Sequence, residues 1–197
     1  KVNDMGFKGV SVNYTLNGFN TFNKVGEGKK YVQLSIPNFG HLEEVGKPSL
    51  PANIDYIAIP NGASYSLEIK KAHSYTASTV SVYPALEPPR DTEGAPNATF
   101  EIDNNTYSSD KLYPENPVKI IGIITIRGLR FAMVRMQPIQ YNPKKNELLI
   151  NDDLSYTLHF KGGTEFLNPE EHSQNFLNMV KRYPLNAGSL ETLSPAK

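Results

Sequence analysis

Apolar residues along this chain recur mainly at every second position, in short runs that glycine and proline interrupt. Residues 10–16, 32–36 and 65–69 alternate between apolar and polar positions, and Ile54 to Ile59 is a short apolar run that ends at Pro60. Alternation at period two indicates strands with one buried face. Turn signals about 8–12 residues apart favour a single all-β fold, an antiparallel β-sandwich that is jelly-roll-like, with about ten to twelve strands.

Glycine and proline turns predict how these strands pair. Gly26-Glu27-Gly28 lies between the first two alternating runs, so we expect those runs to form a hairpin. Arg127-Gly128 predicts a tight turn between a strand over Val118 to Ile126 and a returning strand over Phe131 to Met136. Pro143 to Asn146 predicts the next turn. The strand after it has an apolar face made of Leu154, Tyr156, Leu158 and Phe160.

One stretch near the end of the chain has helical periodicity. Apolar residues between positions 176 and 180 form one face at helical spacing. Asn168 suits the N-cap, and Pro169 suits the first helical position. Pro184 prevents the helix from continuing much beyond Arg182. The sequence therefore predicts one short C-terminal α-helix.

Composition divides the chain into parts. We expect residues 1–166 to form one β-sandwich domain. We expect residues 167–197 to form the helix and then a flexible tail from Leu185. Within the first part, the segment from Pro84 to Pro117 contains six prolines and few aliphatic residues. A connection of this length is usually functional or disordered. Phe100 to Ile102 is its candidate strand.

Charge and composition argue against nucleic-acid and membrane partners and against sites built on cysteine. The 197 residues carry 20 basic and 20 acidic side chains without a basic stripe, so nucleic acid and anionic membranes are poor partners. The absence of cysteine excludes disulfides, thiolate metal sites and a cysteine nucleophile in this chain. No apolar run approaches about 18 residues, so we predict no membrane insertion.

The residues do not form a pattern typical of catalysis or cofactor binding. The four histidines are scattered, and His159 is predicted to be a solvated strand residue. Asp103, Asp110 and the pair Asp152-Asp153 lack the dense alternating oxygen ligands of a calcium loop, and we expect the pair to form a turn. We therefore predict no enzyme activity, no metal site and no cofactor, while calcium binding stays open.

Several short motifs occur together in a characteristic order. They are G-K-P-S-L-P at 46–51, I-A-I-P at 57–60, Y-x-x-D-K-x-Y-P at 107–114, R-G-x-R at 127–130, P-x-Q-Y-N-P at 138–143, and the closing alternating strand. This order resembles the N-terminal propeptide of the gingipain family of secreted cysteine peptidases. The resemblance covers roughly Gly6 to Gly163.

The resemblance implies a zymogen propeptide that occludes the cleft of a downstream cysteine peptidase and assists its folding. Gingipain-type peptidases prefer a basic residue before the scissile bond, so a basic residue of the propeptide could occupy the specificity pocket. Arg90 is the first candidate, because Pro88-Pro89 hold the preceding backbone extended. Lys111 is the second candidate. Cleavage is expected at Lys181 or Arg182, before the predicted tail.

The partner implied by the resemblance is the cognate cysteine peptidase domain, in a protein secreted from a Gram-negative bacterium or held at its surface or in its periplasm. The main alternative is a secreted β-sandwich adhesion module that binds glycan or protein without inhibiting a peptidase. A third is a scaffold domain of a peptidase homologue. Four aromatic residues could line a sugar platform, although their places near strand ends favour core and rim packing. They are Tyr107, Tyr113, Phe131 and Tyr141.

Overall fold

The computed structural model describes residues 1–41, 44–87, 99–168 and 172–190. Its strands are β1 (Val2–Asp4), β2 (Gly9–Thr15), β3 (Asn20–Gly26), β4 (Lys29–Ser35), β5 (Gly40–His41), β6 (Pro51–Ile59), β7 (Ser64–Ser78), β8 (Val118–Ile126), β9 (Leu129–Met136), β10 (Ile139–Asn142) and β11 (Glu147–Lys161). Its helices are α1 (Asn104–Tyr107) and α2 (Gln174–Val180), with 3₁₀ turns at Gly6–Lys8 and Ala187–Leu190. The all-β class is confirmed. The four-residue α1 adds to the single helix that the sequence predicted.

Two antiparallel sheets make up most of the fold. The first has the order β1-β2-β11-β10, with β7 pairing along the other side of β11, and the second has the order β5-β6-β9-β8. Strand β11 pairs with β7 from Glu147 opposite Ser78 to Lys161 opposite Ser64, so this long ladder organises the first sheet. The predicted antiparallel β-sandwich is confirmed.

The main core lies between these two sheets. The predicted apolar face of β11 is confirmed, since its four residues expose 8% of their surface or less. These residues share a core with Ile57 and Ile59 of β6 and with Ala132, Val134 and Met136 of β9. Burying each large aliphatic or aromatic side chain stabilises the fold by about 1.5–3 kcal/mol.

Strands β3 and β4 form a separate two-stranded ribbon. The predicted hairpin between the first two alternating runs is wrong, because β2 pairs with β1 and β11. The turn at Glu27-Gly28 instead joins β4 to β3, a strand without an apolar face. Strand β4 buries Val32 and Leu34 in a second core that also contains Tyr141. Polar residues on both faces of β3 explain why alternation did not reveal it.

Backbone turns agree with the sequence in some places and differ in others. The predicted turn at Arg127-Gly128 is confirmed, with φ angles of 46° and 84°. Asp152-Asp153 do not form a turn; they lie inside β11, where the pairing with β7 is irregular. The backbone carbonyl of Asp152 accepts a hydrogen bond from the Leu16 amide at 2.9 Å, which explains its place in the sheet. The predicted strand at Phe100 to Ile102 is also wrong, since these residues are irregular.

Helix α2 covers the outer face of the second sheet. Its N-cap is Ser173, whose hydroxyl accepts a hydrogen bond from the Phe176 amide at 3.4 Å, so the predicted N-cap at Asn168 is wrong. Pro169 lies outside the described residues. The serine satisfies an amide that would otherwise have no partner in the first turn. The predicted apolar face is confirmed, because Phe176, Leu177 and Val180 pack with Phe131 of β9.

The sequence predicted a flexible tail from Leu185, but residues 185–190 pack on the two sheets; residues 191–197 lie outside the described part of the chain. The Leu185 amide donates to the Tyr56 carbonyl at 2.8 Å, and the buried Asn186 side chain bonds both backbone groups of Ala58 at 2.9 Å. Ser189 donates its amide and hydroxyl to the Asp4 carboxylate at 2.8 and 2.6 Å. The contacts of Leu185 and Asn186 lie on the open edge of β6, and those of Ser189 tie the segment to β1 of the first sheet. Among the described residues, no helix is both long and apolar enough to span a membrane.

Candidate functional site

The proline-rich segment contains the first candidate anchor. Arg90 and the preceding Pro88-Pro89 lie outside the described residues. The structure does describe the chain on either side, residues 83–87 and 99–103, which we call the two stems. Their arrangement shows how the chain on either side of residues 88–98 is held.

Both stems pack against strand β4. The Tyr83 amide donates to the Val32 carbonyl at 2.8 Å, while the Val32 amide donates to the Ser81 carbonyl at 2.9 Å. From the second stem, the Phe100 ring lies 5.7 Å from the Tyr83 ring and 5.5 Å from the Tyr31 ring, measured between centroids. The two stems therefore meet in one aromatic cluster beside β4.

The turn at Gly46 binds both stems through its backbone. The Gly46 amide donates to Ala85, the Ala85 amide donates to Lys47, and the Asp103 amide donates to Gly46, each at 2.8 Å. Gly46 has φ +80°, and a Cβ at this position would lie 3.0 Å from the Asp103 nitrogen. Glycine is favoured here because the left-handed backbone and the close approach both oppose a side chain. This gives the G-K-P-S-L-P motif a structural role.

A charged cluster supports the same turn. Lys47 pairs with Glu44, and its ammonium also lies 5.8 Å from the centre of the Tyr113 ring. The Arg135 guanidinium lies 3.8 Å from the second oxygen of Glu44. The hydrogen bond from Lys47 is the main reason that the pKa of Glu44 is lowered, despite partial burial. Lys47 is thus engaged within the fold.

Lys111 is held at the surface by the residues around it. Asp103 caps α1 by accepting from the Thr106 amide at 3.0 Å, and the Tyr107 hydroxyl donates to the Val82 carbonyl at 2.6 Å. Asp110 then accepts from the Asn142 side chain at 2.9 Å. Lys111 follows directly and is exposed. Its backbone is therefore fixed while its side chain reaches solvent, as a surface anchor requires.

The motifs at 107–114 and 138–143 form one unit. The Tyr113 amide donates to Tyr141 at 2.8 Å, and the Tyr141 amide donates back at 2.7 Å. The Gln140 side chain donates to the Pro114 carbonyl at 2.7 Å. Phe131 and Tyr141 are almost fully buried, and Tyr107 and Tyr113 pack partly buried against the second core. Core and rim packing of these aromatics is confirmed, so they do not form an open sugar platform.

The R-G-x-R motif joins the second sheet to its neighbours. The Arg127 guanidinium lies 5.2 Å from the centre of the Phe176 ring of α2. Arg130 donates to the carbonyls of Pro60 and Ala63 at 3.3 and 3.2 Å, which ties β9 to the turn between β6 and β7. These arginines contribute to packing and lie in the fold, whereas the two candidate anchors belong to the proline-rich segment.

The candidate cleavage residues come directly after α2. Lys181 is its C-cap, and its amide donates to the Leu177 carbonyl at 3.2 Å. Arg182 is exposed in the next turn, where its amide donates to Met179 at 3.1 Å. The backbone is coiled here, whereas proteases usually bind extended chain, so a cut at this point requires local unwinding.

Two of the described histidines pair with acidic side chains at the surface. His159 is exposed and lies 2.8 Å from Glu68, which agrees with the predicted solvated strand position. His73 pairs with Asp152 at 2.6 Å. Among residues 1–41, 44–87, 99–168 and 172–190, no group of three or more histidine or acidic side chains could hold a metal ion.

Comparison with known families matches residues 8–187 to the Propeptide_C25 description. The chain belongs to this propeptide family. Membership assigns it to the non-catalytic part of a peptidase precursor. Two relatives, Lys-gingipain HG66 and another Lys-gingipain of Porphyromonas gingivalis, are each 22% identical over 178 residues, which cover 86% of this chain. The chain spans about a tenth of the length of these relatives, since the matched region is 10% of each.

Two solved structures share the fold of this propeptide. A chain from the complex of Porphyromonas gingivalis RgpB pro- and mature domains has a TM-score of 0.79 at 15% identity, covering 95% of this chain and 97% of its own. A structure described as an insight into zymogenic latency of gingipain K from the same organism has a TM-score of 0.65 at 23% identity, covering 82% and 91%. At these identities the likeness establishes the fold.

Proposed function

We propose that this propeptide occludes the active-site cleft of a gingipain-like cysteine peptidase in its own precursor, keeping the enzyme latent and assisting its folding. Family membership supports this role, as do the complex of pro- and mature domains of RgpB and the zymogenic latency described for gingipain K. The observation that carries the proposal is the Gly46 turn. By binding both stems, it tethers the chain on either side of residues 88–98 to one turn.

A segment tethered on both sides suits an inhibitor for a physical reason. Tethering and neighbouring prolines reduce the conformational entropy that the segment loses on binding, so more of the contact energy remains as affinity. Arg90 lies within this segment, and its planar guanidinium matches a carboxylate in a specificity pocket. Lys111, exposed after the second stem, is the alternative anchor.

The test is inhibition in trans of the peptidase domain of the same precursor. Arg90→Ala should weaken inhibition by about 2–5 kcal/mol, because the pocket carboxylate loses its charged partner. This corresponds to roughly 30- to 4,000-fold in the inhibition constant. Arg90→Lys should lose less, since the positive charge remains. Lys70→Ala on the exposed strand β7 serves as the control for Lys111→Ala.

Each outcome either identifies the anchor residue or excludes a candidate. If Arg90→Ala inhibits like wild type while Lys111→Ala does not, the anchor is Lys111. If both inhibit like wild type, occlusion stands without either anchor. If the wild-type propeptide does not inhibit at micromolar concentration, the inhibitory role is wrong.

We further propose that processing at Lys181 or Arg182 begins activation. Their place between α2 and the clasp at residues 185–190 separates two parts of the fold that each contact the second sheet. We also propose that the precursor is secreted or held at the cell surface or in the periplasm of a Gram-negative bacterium, as expected of a relative of bacterial gingipains. Fractionation of cells and medium, followed by detection of the propeptide, tests this location.

A further inference from the structure

Strand β3 is exposed along almost its whole length. Every residue from Asn20 to Val25 is exposed, and the first buried residue is Gly26 at the turn. Phe22 exposes 52% of its surface and Val25 exposes 70%. The partner strand β4 packs into the second core, so it anchors the ribbon while β3 faces solvent.

The same ribbon carries positive charge. Lys24, Lys29 and Lys30 lie on it beside a single acidic residue, Glu27. Within the part of the chain that the structure describes, these three lysines have no acidic partner at ion-pair distance. Within the described ranges, the ribbon therefore presents a net positive charge together with exposed apolar side chains.

The ribbon also adjoins the two stems. A Cβ on Gly26 would lie 2.2 Å from the Phe100 ring of the second stem, so this ring packs directly on the ribbon turn. Tyr31 of β4 meets Tyr83 of the first stem edge to face, with centroids 5.8 Å apart. A partner that contacts the two stems from this side also meets the ribbon.

We propose that the β3–β4 ribbon is a second contact surface for the cysteine peptidase domain, and that it binds an acidic surface with an apolar patch beside the active-site cleft. This inference rests on the proposed function. A pocket that accepts a basic anchor carries negative charge, and a lysine-rich ribbon beside the two stems complements the same field. The three lysines would accelerate association by electrostatic steering. Phe22, which shares a face of β3 with Lys24, would become buried and slow dissociation.

The test measures association and dissociation rates with the peptidase domain inactivated by replacement of its catalytic cysteine. The charge variant combines Lys24→Glu, Lys29→Glu and Lys30→Glu. Its control combines Lys70→Glu, Lys119→Glu and Lys161→Glu, which change the net charge equally at exposed positions away from the ribbon. In low salt, the ribbon variant should associate about tenfold more slowly than the control, and the difference should shrink in high salt.

The apolar variant is Phe22→Ser, and its control is Tyr75→Ser on β7, where Tyr75 exposes 45% of its surface. We expect faster dissociation, by about tenfold, for the ribbon variant alone. Thermal unfolding followed by circular dichroism selects variants that retain the wild-type transition.

A parallel assay measures whether wild type inhibits the active enzyme. This assay distinguishes failure of the ribbon surface from failure of the proposed occlusion. Equal rates for ribbon and control variants, with wild-type inhibition intact, overturn the ribbon surface and leave occlusion standing. If wild type binds the peptidase domain without inhibiting it, and the ribbon variants do not bind, the ribbon surface is supported and occlusion is overturned. If wild type does not bind the peptidase domain, both are overturned.

Discussion

At the residue scale, the backbone conformation of Gly46 positions the two stems of the candidate site. It is the residue through which the first and second stems are held to one turn, and its conformation is left-handed. Gly28 has a similar φ of +75°, but a Cβ there would meet no atom within 4 Å. The two glycines therefore separate the effect of backbone strain from the effect of crowding.

We predict that Gly46→Ala destabilises the fold more than Gly28→Ala does. Alanine in the left-handed region costs about 1–2 kcal/mol at either position. At Gly46 the contact with Asp103 should add about 1 kcal/mol or more, as overpacking does. Urea denaturation of both variants measures the difference in the free energy of unfolding. Equal losses would show that the Asp103 stem moves aside without resistance.

Asp55 is a second residue whose environment makes a measurable prediction. Its carboxylate accepts hydrogen bonds from the Tyr156 hydroxyl and the Asn53 side chain, each at 2.7 Å. Burial is the largest influence and raises the pKa of Asp55, although both hydrogen bonds oppose it. Because the folded-state pKa lies above the unfolded value, this group favours folding below the unfolded pKa. That contribution is lost as the pH rises through the folded pKa.

We predict that Asp55→Asn changes the pH dependence of stability in one direction. Between the unfolded pKa of about 3.9 and the raised folded pKa, the variant should gain stability relative to wild type as the pH rises. Above that window the difference should be constant. Urea denaturation of both proteins across a pH series measures this difference. A difference that falls with rising pH would mean that the hydrogen bonds from Tyr156 and Asn53 outweigh burial.

At the element scale, the segment after α2 acts as a clasp on β6. Strand β6 pairs with β5 through only two residues, so its edge near Ala58 would lack hydrogen-bond partners without this segment. Asn186, which is fully buried, supplies an acceptor and a donor to Ala58. Its side chain substitutes for a neighbouring strand and satisfies both backbone groups.

Asn186→Ala should therefore destabilise the protein by roughly 2–4 kcal/mol, because it leaves a buried amide and a buried carbonyl without partners. Asn178→Ala is the matched control, since Asn178 is exposed on α2 and its side chain accepts a hydrogen bond from the Gln174 side chain at 2.7 Å. Chemical denaturation compares the two. A loss below about 1 kcal/mol at Asn186 would indicate that water replaces its contacts.

At the scale of the whole molecule, the clasp keeps the two sides of a cut at Arg182 together. The chain on the far side of that bond remains attached through Asn186, through the fully buried Leu190 and through the bonds from Ser189 to Asp4. Cutting the peptide bond removes none of these contacts. Cleavage and separation are thus distinct events in this propeptide.

We predict that propeptide nicked after Arg182 remains one particle. Limited trypsin treatment, followed by size-exclusion chromatography and mass spectrometry, should show the C-terminal fragment eluting with the main body. The same treatment of Asn186→Ala should release the fragment, because the clasp is weakened. A free fragment from nicked wild type would show that the clasp requires covalent continuity.

The sequence by itself determined the features that depend on local order. Period-two alternation identified the buried face of β11, and the positive φ of Arg127-Gly128 matches a turn that two residues encode. The motifs also identified the family, because their order survives without any knowledge of contacts. Helix α2 was found from its apolar spacing, although its start moved to Ser173, since serine and asparagine are both good caps.

Only the tertiary structure decided which distant segments meet. Strand β2 pairs with β11, more than a hundred residues away, rather than with β4, because alternation defines a face and leaves the partner open. The exposed strand β3 has no alternation of apolar and polar residues by which it could be predicted. The position of the two stems likewise depends on Gly46, Ala85 and Asp103, whose bonds are between backbone atoms. Side-chain patterns do not encode such bonds. The sequence could therefore identify the proline-rich segment, whereas only the fold showed that its two stems lie side by side.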